Sequence, residues 1–440
     1  MNMNSVNSAP TAAAELEEVK EEAIYRKVSW RLIPFLLVCY IVAYLDRVNV
    51  GFAKLQMLDE LQFSEAVYGL GAGIFFLGYF LFEVPSNVIL HRVGARRWIA
   101  RIMISWGILS ACMSLVQSAE AFYVLRFLLG AAEAGFFPGI ILYLTYWFPS
   151  SQMGRATSLF LIAVALSGVI GGPLSGWIMR DLHGFHGWSG WQWMFLIEGA
   201  ASIPLGLMVL FYLDDRIEGV TWLTDAEKHI ISSNIAREAA GKSHHASVLS
   251  TLFDKRVLHM GAIYFCLVIG LYGVSFWLPS LIKAMGVKDA LDVGLLSAIP
   301  WAFGALAMVL VSRSGDRRQE RRWHISISAI VGATGLVFSV VFHHNAALSM
   351  LGLTVATMGI MSTLPLFWCL PTAILSGAAA AAGIAFINSL GNLSGFIGPY
   401  AVGYLKDATH STNTGMYMLA GFLLLGAALT LMVPAKLIRK

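Results

Sequence analysis

Long apolar runs, parted by short polar turns, recur along nearly the whole chain. A helix needs about 20 apolar residues to cross a bilayer. The pattern predicts twelve such helices, at 30–52, 66–90, 96–117, 119–147, 155–179, 191–213, 257–283, 291–312, 324–343, 347–372, 378–405 and 413–435. The expected fold is therefore an all-α membrane protein of twelve transmembrane helices. Residues 1–29 read as a polar arm, helical from Ala12, 214–256 as a linker and 436–440 as a tail.

Two internal matches divide the spans into six-helix halves, 30–213 and 257–435. The basic turn Asn87-Val-Ile-Leu-His91-Arg92-Val93-Gly94-Ala95-Arg96-Arg97 returns 225 residues later as Ser312-Arg313-Ser314-Gly315-Asp316-Arg317-Arg318. Gly172-Pro173, followed by Asp181, returns 226 residues later as Gly398-Pro399, followed by Asp407. Offsets that match to within one residue signal duplication. Repeats of this kind build transporters with a site at the repeat interface near the midplane.

Composition agrees with a membrane protein. Of 440 residues 57% are hydrophobic and 13% charged, at a mean hydropathy of +0.69; a soluble domain carries about 25% charged residues. The net charge of +4 could suggest nucleic acid, but its distribution points to topology. Twenty-three of the 30 Lys and Arg fall in the termini and even-numbered turns, and five on the opposite side: Lys54, Arg180, Lys283, Lys288 and Lys406. The positive-inside rule then places both termini in the cytoplasm. Cys39, Cys112, Cys266 and Cys369 all lie inside spans, without metal-ligand spacing.

Topology leaves Arg47 and Arg126 unexplained. Arg47 stands beside Asp46 inside the first apolar run, in Tyr44-Leu45-Asp46-Arg47-Val48-Asn49. An ionisable group in a membrane costs about 2.5–3.5 kcal/mol on insertion scales, so it marks a functional site by default. Arg126 and Glu133 are seven apart on helix 4 and share a face, with Gly130 between them. A purely structural charge network is the alternative. Glu83 is expected to pair with loop arginines, and Glu198 to make structural hydrogen bonds. The outer His183, His186, Trp188 and Trp191 read as interfacial loop residues, with metal binding by His-x-x-His as the alternative, and the pairs His244-His245 and His343-His344 read as loop residues too. The second half lacks intramembrane charge; Tyr264, Tyr272, Ser275, Trp368, Thr372, Asn388, Ser389 and Asn392 are its polar and aromatic candidates.

The chain resembles the major facilitator superfamily over almost its full length, through the basic turn, its copy and the six-plus-six layout. Asn87 and His91 depart from the usual Gly and Asp. Within the superfamily it is similar to the anion:cation symporter family. The carriers are Leu45-Asp46-Arg47-Val48-Asn49, Phe82-Glu83-Val84-Pro85-Ser86-Asn87, Arg126 to Gly135, Tyr146-Trp147-Phe148-Pro149, and Gly383 to Asn392. It looks closest to the bacterial branch taking up tartrate, phthalate, hydroxyphenylacetate and sugar acids.

The resemblance implies a bacterial inner-membrane monomer with alternating access, in which helices 1, 4, 7 and 10 line a central cavity. Asp46, Arg47, Arg126 and Glu133 would converge there. Asp46 and Glu133 are the expected proton carriers. Arg47 is the preferred carboxylate ligand, because its planar fork binds two oxygens. Arg126 is expected to hold Glu133 or Asp46. Tyr44 and Tyr79, with Trp368, Asn388 and Asn392, complete the expected substrate set. The partners implied are a small organic anion and lipid, with no nucleic acid and no cofactor beyond the coupling ion H+. Exchange, uniport and sodium coupling stay open. No nucleophile–base pair, metal motif or phosphate loop suggests an enzyme, and no large soluble domain suggests a receptor.

Overall fold

The computed structural model describes residues 12–240, 254–318, 320–374 and 377–434. The outermost arm and tail, His244-His245 and the side chain of Thr372 lie outside the described residues. The first half contains α1 (Ala12–Val48), α2 (Val50–Leu61), α3 (Glu65–Val93), α4 (Ala95–Cys112), α5 (Ala119–Glu133), α6 (Phe136–Thr145), α7 (Ser150–Asp181) and α8 (Gly190–Tyr212). After the linker helix α9 (Asp225–Ala240) come α10 (Lys255–Ala284), α11 (Ala290–Arg318), α12 (Arg322–Val341), α13 (Ala346–Ile374), α14 (Gly377–Thr409) and α15 (Asn413–Met432).

Eleven spans among the described residues are long and apolar enough to cross a membrane. The twelfth is α14, which packs along α3, α10 and α15. The helices form two six-helix halves that meet through α2 on α10, α3 on α14 and α7 on α11.

Two spans differ from expectation. The first does not start at Trp30. The arm is helical from Ala12 as expected, but it runs unbroken into the span, and this extension docks on α9: Lys27 Nζ meets Glu227 at 2.8 Å and Asn234 Nδ2 donates to Glu21 at 3.1 Å. Helix 4 is broken into α5 and α6. Ala134 leaves the helical region with ψ 130° and Gly135 takes φ +86°, a conformation that favours glycine, so the helix stops at Glu133.

We call the face where α1 begins and α15 ends the terminal face, and the other the distal face. The halves are sealed near the distal face. Gly172 and Gly294 lie against each other's carbonyls, so a side chain at either would collide with backbone. Tyr68 donates to Phe276 O at 2.9 Å, Lys283 to Leu55 O at 2.7 Å, and Asp407 receives the Ala66 N–H at 2.7 Å. Glu65 pairs with both Lys54 and Lys406. Lys54, sorted above as a loop charge, is buried, with its ammonium 3.5 Å from the Trp277 ring centroid. Its charge serves the seal because the first helix runs on to Leu61.

Toward the terminal face, Glu83 accepts from Asn388 Nδ2 at 3.2 Å and Ser389 Oγ at 3.1 Å. This corrects the expected pairing with loop arginines. Glu83 stands ten residues before the end of α3, too deep for the loop, and faces the other half.

Candidate functional site

Adjacent helical residues point about 100° apart, so Asp46 and Arg47 part company. Arg47 points to the bundle centre, where its guanidinium donates to Glu133. The pair is buried, with Arg47 6% and Glu133 1% exposed. Arg47 lies 5.4, 5.6 and 5.8 Å from the ring centroids of Tyr79, Phe75 and Tyr44. Glu133 is the last residue of α5, so the helix break falls beside the ion pair. Half-helix ends of this kind line sites in many transporters.

The second half closes the site. Tyr272 on α10 packs on Phe76, ring centroids 4.4 Å apart, and donates to Asn392 Oδ1 at 3.3 Å. Tyr44 OH and Arg47 Nε are buried without a hydrogen-bond partner. The centre is thus a cation–carboxylate pair ringed by tyrosines, with donors left over.

Two expected partnerships are corrected. Arg126 holds neither Glu133 nor Asp46. Its Nε and Nη2 donate to Gly71 O and Ala72 O, each at 3.1 Å, and Phe75 covers it at 4.9 Å. Seven residues of rise, about 10 Å, separate Arg126 from Glu133 along α5. The space beside Gly130, between the two on the same face, is taken by the Phe75 carbonyl. Asp46 does not converge on the centre either. It turns to α4 and accepts from Trp106 Nε1 at 2.7 Å and Ser110 Oγ at 2.9 Å.

Of the other candidates, Asn392 reaches the centre through Tyr272, whereas Asn388 is engaged by Glu83. Trp368 packs edge-on against Tyr264 at 4.9 Å. His183 accepts from the Gly190 N–H at 3.2 Å, as a loop residue would, but Trp191 is corrected: it is buried at the start of α8 and donates to Glu60 at 2.7 Å. Glu198 accepts from Ser175 at 2.7 Å. Sequence reasoning missed Tyr40, stacked on Phe160 at 4.6 Å; its spacing to Tyr44 and Arg47, four then three, marks one helix face. It also missed Trp106 and Ser110, for which a span offers no such signal.

Comparison with known proteins agrees with this architecture. The model of the Major Facilitator Superfamily matches residues 36–399. A protein of Agrobacterium vitis named for tartrate transport is 49% identical over 94% of this chain and 92% of its own length. The metabolite transport protein NicT of Pseudomonas putida is 45% identical over 95% of this chain and 96% of its own. The xylose transporter XylE of E. coli, solved in a partially occluded inward-open conformation, aligns with a TM-score of 0.73 at 12% identity, covering 92% of this chain and 99% of that one. With its twelve-helix fold and this match over most of its length, the chain belongs to the major facilitator superfamily of membrane transporters.

Proposed function

We propose that this protein imports a small organic carboxylate by proton symport, through alternating access about the Arg47–Glu133 pair. The single observation that carries the reading is that pair: a guanidinium buried at the half interface, neutralised by a carboxylate able to take up a proton. Protonating Glu133 removes the charge that holds Arg47. The freed fork then binds a substrate carboxylate bidentately. Substrate and proton load together, since either alone leaves a buried charge unmatched.

Tyr44, Tyr79 and Tyr272 give the substrate hydroxyl partners, and Asn392 orients Tyr272. Arg126, tied to α3 carbonyls, keeps a positive field over the site and has Nη1 unpartnered. The charge bias of the loops supports a cytoplasmic terminal face, in an inner bacterial membrane. The distal seal then closes the site from outside, and breaking it gives the alternate state. The tartrate name of the 49% identical relative makes tartrate the first substrate to try.

The test is uptake by proteoliposomes of labelled tartrate, then phthalate, hydroxyphenylacetate, galactonate and glutamate, with and without an inward proton gradient. One acid should accumulate only with the gradient. Accumulation indifferent to the gradient would sink the symport reading and leave exchange or another coupling ion.

A further inference from the structure

Behind the central pair, inside the first half, lies a second group of acids that the mechanism above does not use. Glu198 on α8 accepts from Ser175 Oγ at 2.7 Å, while its other oxygen is buried without a donor. Asp46 on α1 lies close by: Ser110, which donates to it, packs against Gly199, the residue after Glu198. Asn49 joins the two sides of this group: its Nδ2 donates to Asp46 at 3.3 Å, and it shares a cavity wall with Ser175, the donor to Glu198. Asn49 Oδ1 is buried and unpartnered. Glu198 is 4% and Asp46 1% exposed.

The other elements packed on α8 bring no charge to this point. From α4 come Trp106 and Ser110, both donating to Asp46, and from α7 comes Ser175. On α2, Lys54 is turned to Glu65, and Glu60 to Ser189 and Trp191 near the distal face.

Two ionised carboxylates buried together, with Arg47 given to Glu133 and Arg126 to the α3 carbonyls, are among the costliest arrangements a protein can hold. The donors divide unequally. Asp46 receives Trp106 on one oxygen and Ser110 and Asn49 on the other, enough to solvate an anion. Glu198 has one donated hydrogen bond and an empty oxygen, the environment of a neutral acid.

Beside them a cavity of about 20 Å³ lies between the halves, lined by Asn49, Ser175, Ser167, Ser275 and Ser297; that holds one water. Gly172, at the distal seal, also lines it. A hard cation takes about six or more oxygens; Glu198 Oε2 and Asn49 Oδ1 are free here, but both Asp46 oxygens are occupied by donors.

We infer that Glu198, Asn49 and Asp46 form a second proton site, apart from the Arg47–Glu133 pair, with the proton resident on Glu198 in this conformation. Parting of α7 and α11 at the seal joins the water-sized cavity to solvent, so this proton exchanges when the distal face opens. The site stands on its own geometry; its part in transport rests on the symport reading.

The experiment is infrared difference spectroscopy of the full-length protein in lipid at neutral pH, without substrate, together with proton-to-tartrate stoichiometry in proteoliposomes. A carbonyl-stretch band of a protonated carboxylic acid should be present, vanish in Glu198→Gln and persist in Glu133→Gln. Ser175→Ala, which removes the hydrogen bond while keeping the acid, should shift the band. It provides the reading if the Gln variant does not fold. The stoichiometry should fall by one proton in Glu198→Gln. A band that survives Glu198→Gln, that ignores Ser175→Ala, or that moves with sodium overturns the inference. If the band belongs to Glu198 but wild type shows no gradient-driven uptake, the symport reading fails and the proton site stands.

Discussion

Replacing Glu133 with Gln tests whether the central ion pair links proton to substrate. In the wild type, a substrate carboxylate must take Arg47 from Glu133. Both are buried, and close charge pairs couple by about 1.5–7 kcal/mol. Even about 3 kcal/mol is roughly a hundredfold in affinity. A proton on Glu133 removes that cost. Binding therefore takes up one proton and weakens about tenfold per pH unit once Glu133 is ionised, since one unit is about 1.36 kcal/mol. From about pH 6 to about pH 8 the wild-type Kd for tartrate should rise by up to about a hundredfold, and that of Glu133→Gln should stay flat. The variant should bind as tightly as wild type does at the acid end, and should exchange substrate without accumulating it. Its folded state carries an uncompensated Arg47, so thermal stability should drop in the absence of tartrate and recover in its presence; removing one partner of a buried pair costs about 3–5 kcal/mol. Equilibrium binding of labelled tartrate to the purified protein reads the slope. A Glu133→Gln variant that keeps the wild-type pH slope would refute the reasoning, because the linked proton would then sit elsewhere.

Other expectations follow from the two ends of the bundle and from Arg47. Arg47→Lys keeps the charge but loses the fork, so tartrate affinity should fall tenfold or more, about 1.4 kcal/mol; unchanged affinity would mean that Arg47 is not the ligand. Gly172→Leu places a side chain against the Gly294 backbone, and overpacking costs about 1–3 kcal/mol. The distal seal should open, and a thiol introduced by Ser297→Cys should react from the distal side many times faster than in the parent. Glu83→Ala removes the acceptor of Asn388 and Ser389, so hydrogen exchange in α14 should quicken, while α12 stays unaffected. Outside the membrane, the Lys27 hydrogen bond holds Glu227 below the ordinary carboxylate range. That tie is complete above the range and is lost as pH falls through the folded value. Protection of α9 from hydrogen exchange should decline with acidification in the wild type and not in Lys27→Ala; being exposed, the tie is worth no more than about 1 kcal/mol.

Much of this protein is legible along one dimension. Hydropathy places the spans, because each must cross the bilayer whatever its neighbours are. Matching offsets at Asn87 and Ser312, and at Gly172 and Gly398, reveal the duplication. The two intramembrane arginines and their acids stand out because burial in lipid makes each costly. Even the break after Glu133 has a local sign in Gly135, although an apolar run through Phe136 hides it.

The partnerships are another matter. Arg47 rather than Arg126 takes Glu133, because α5 ends beside α1 and leaves Arg126 facing the α3 carbonyls. Asp46, next in sequence to Arg47, lies in a different environment, because a helix turns neighbours apart and α4 supplies Trp106 and Ser110. Glu83 meets residues more than 300 positions away, and Lys54 is buried in a seal rather than exposed in a loop. A side chain's own sequence neighbourhood sets whether it sits in the membrane and on which helical face. Which charge it meets depends on how two packed halves bring distant faces together, and that contact is written in no single stretch of the chain.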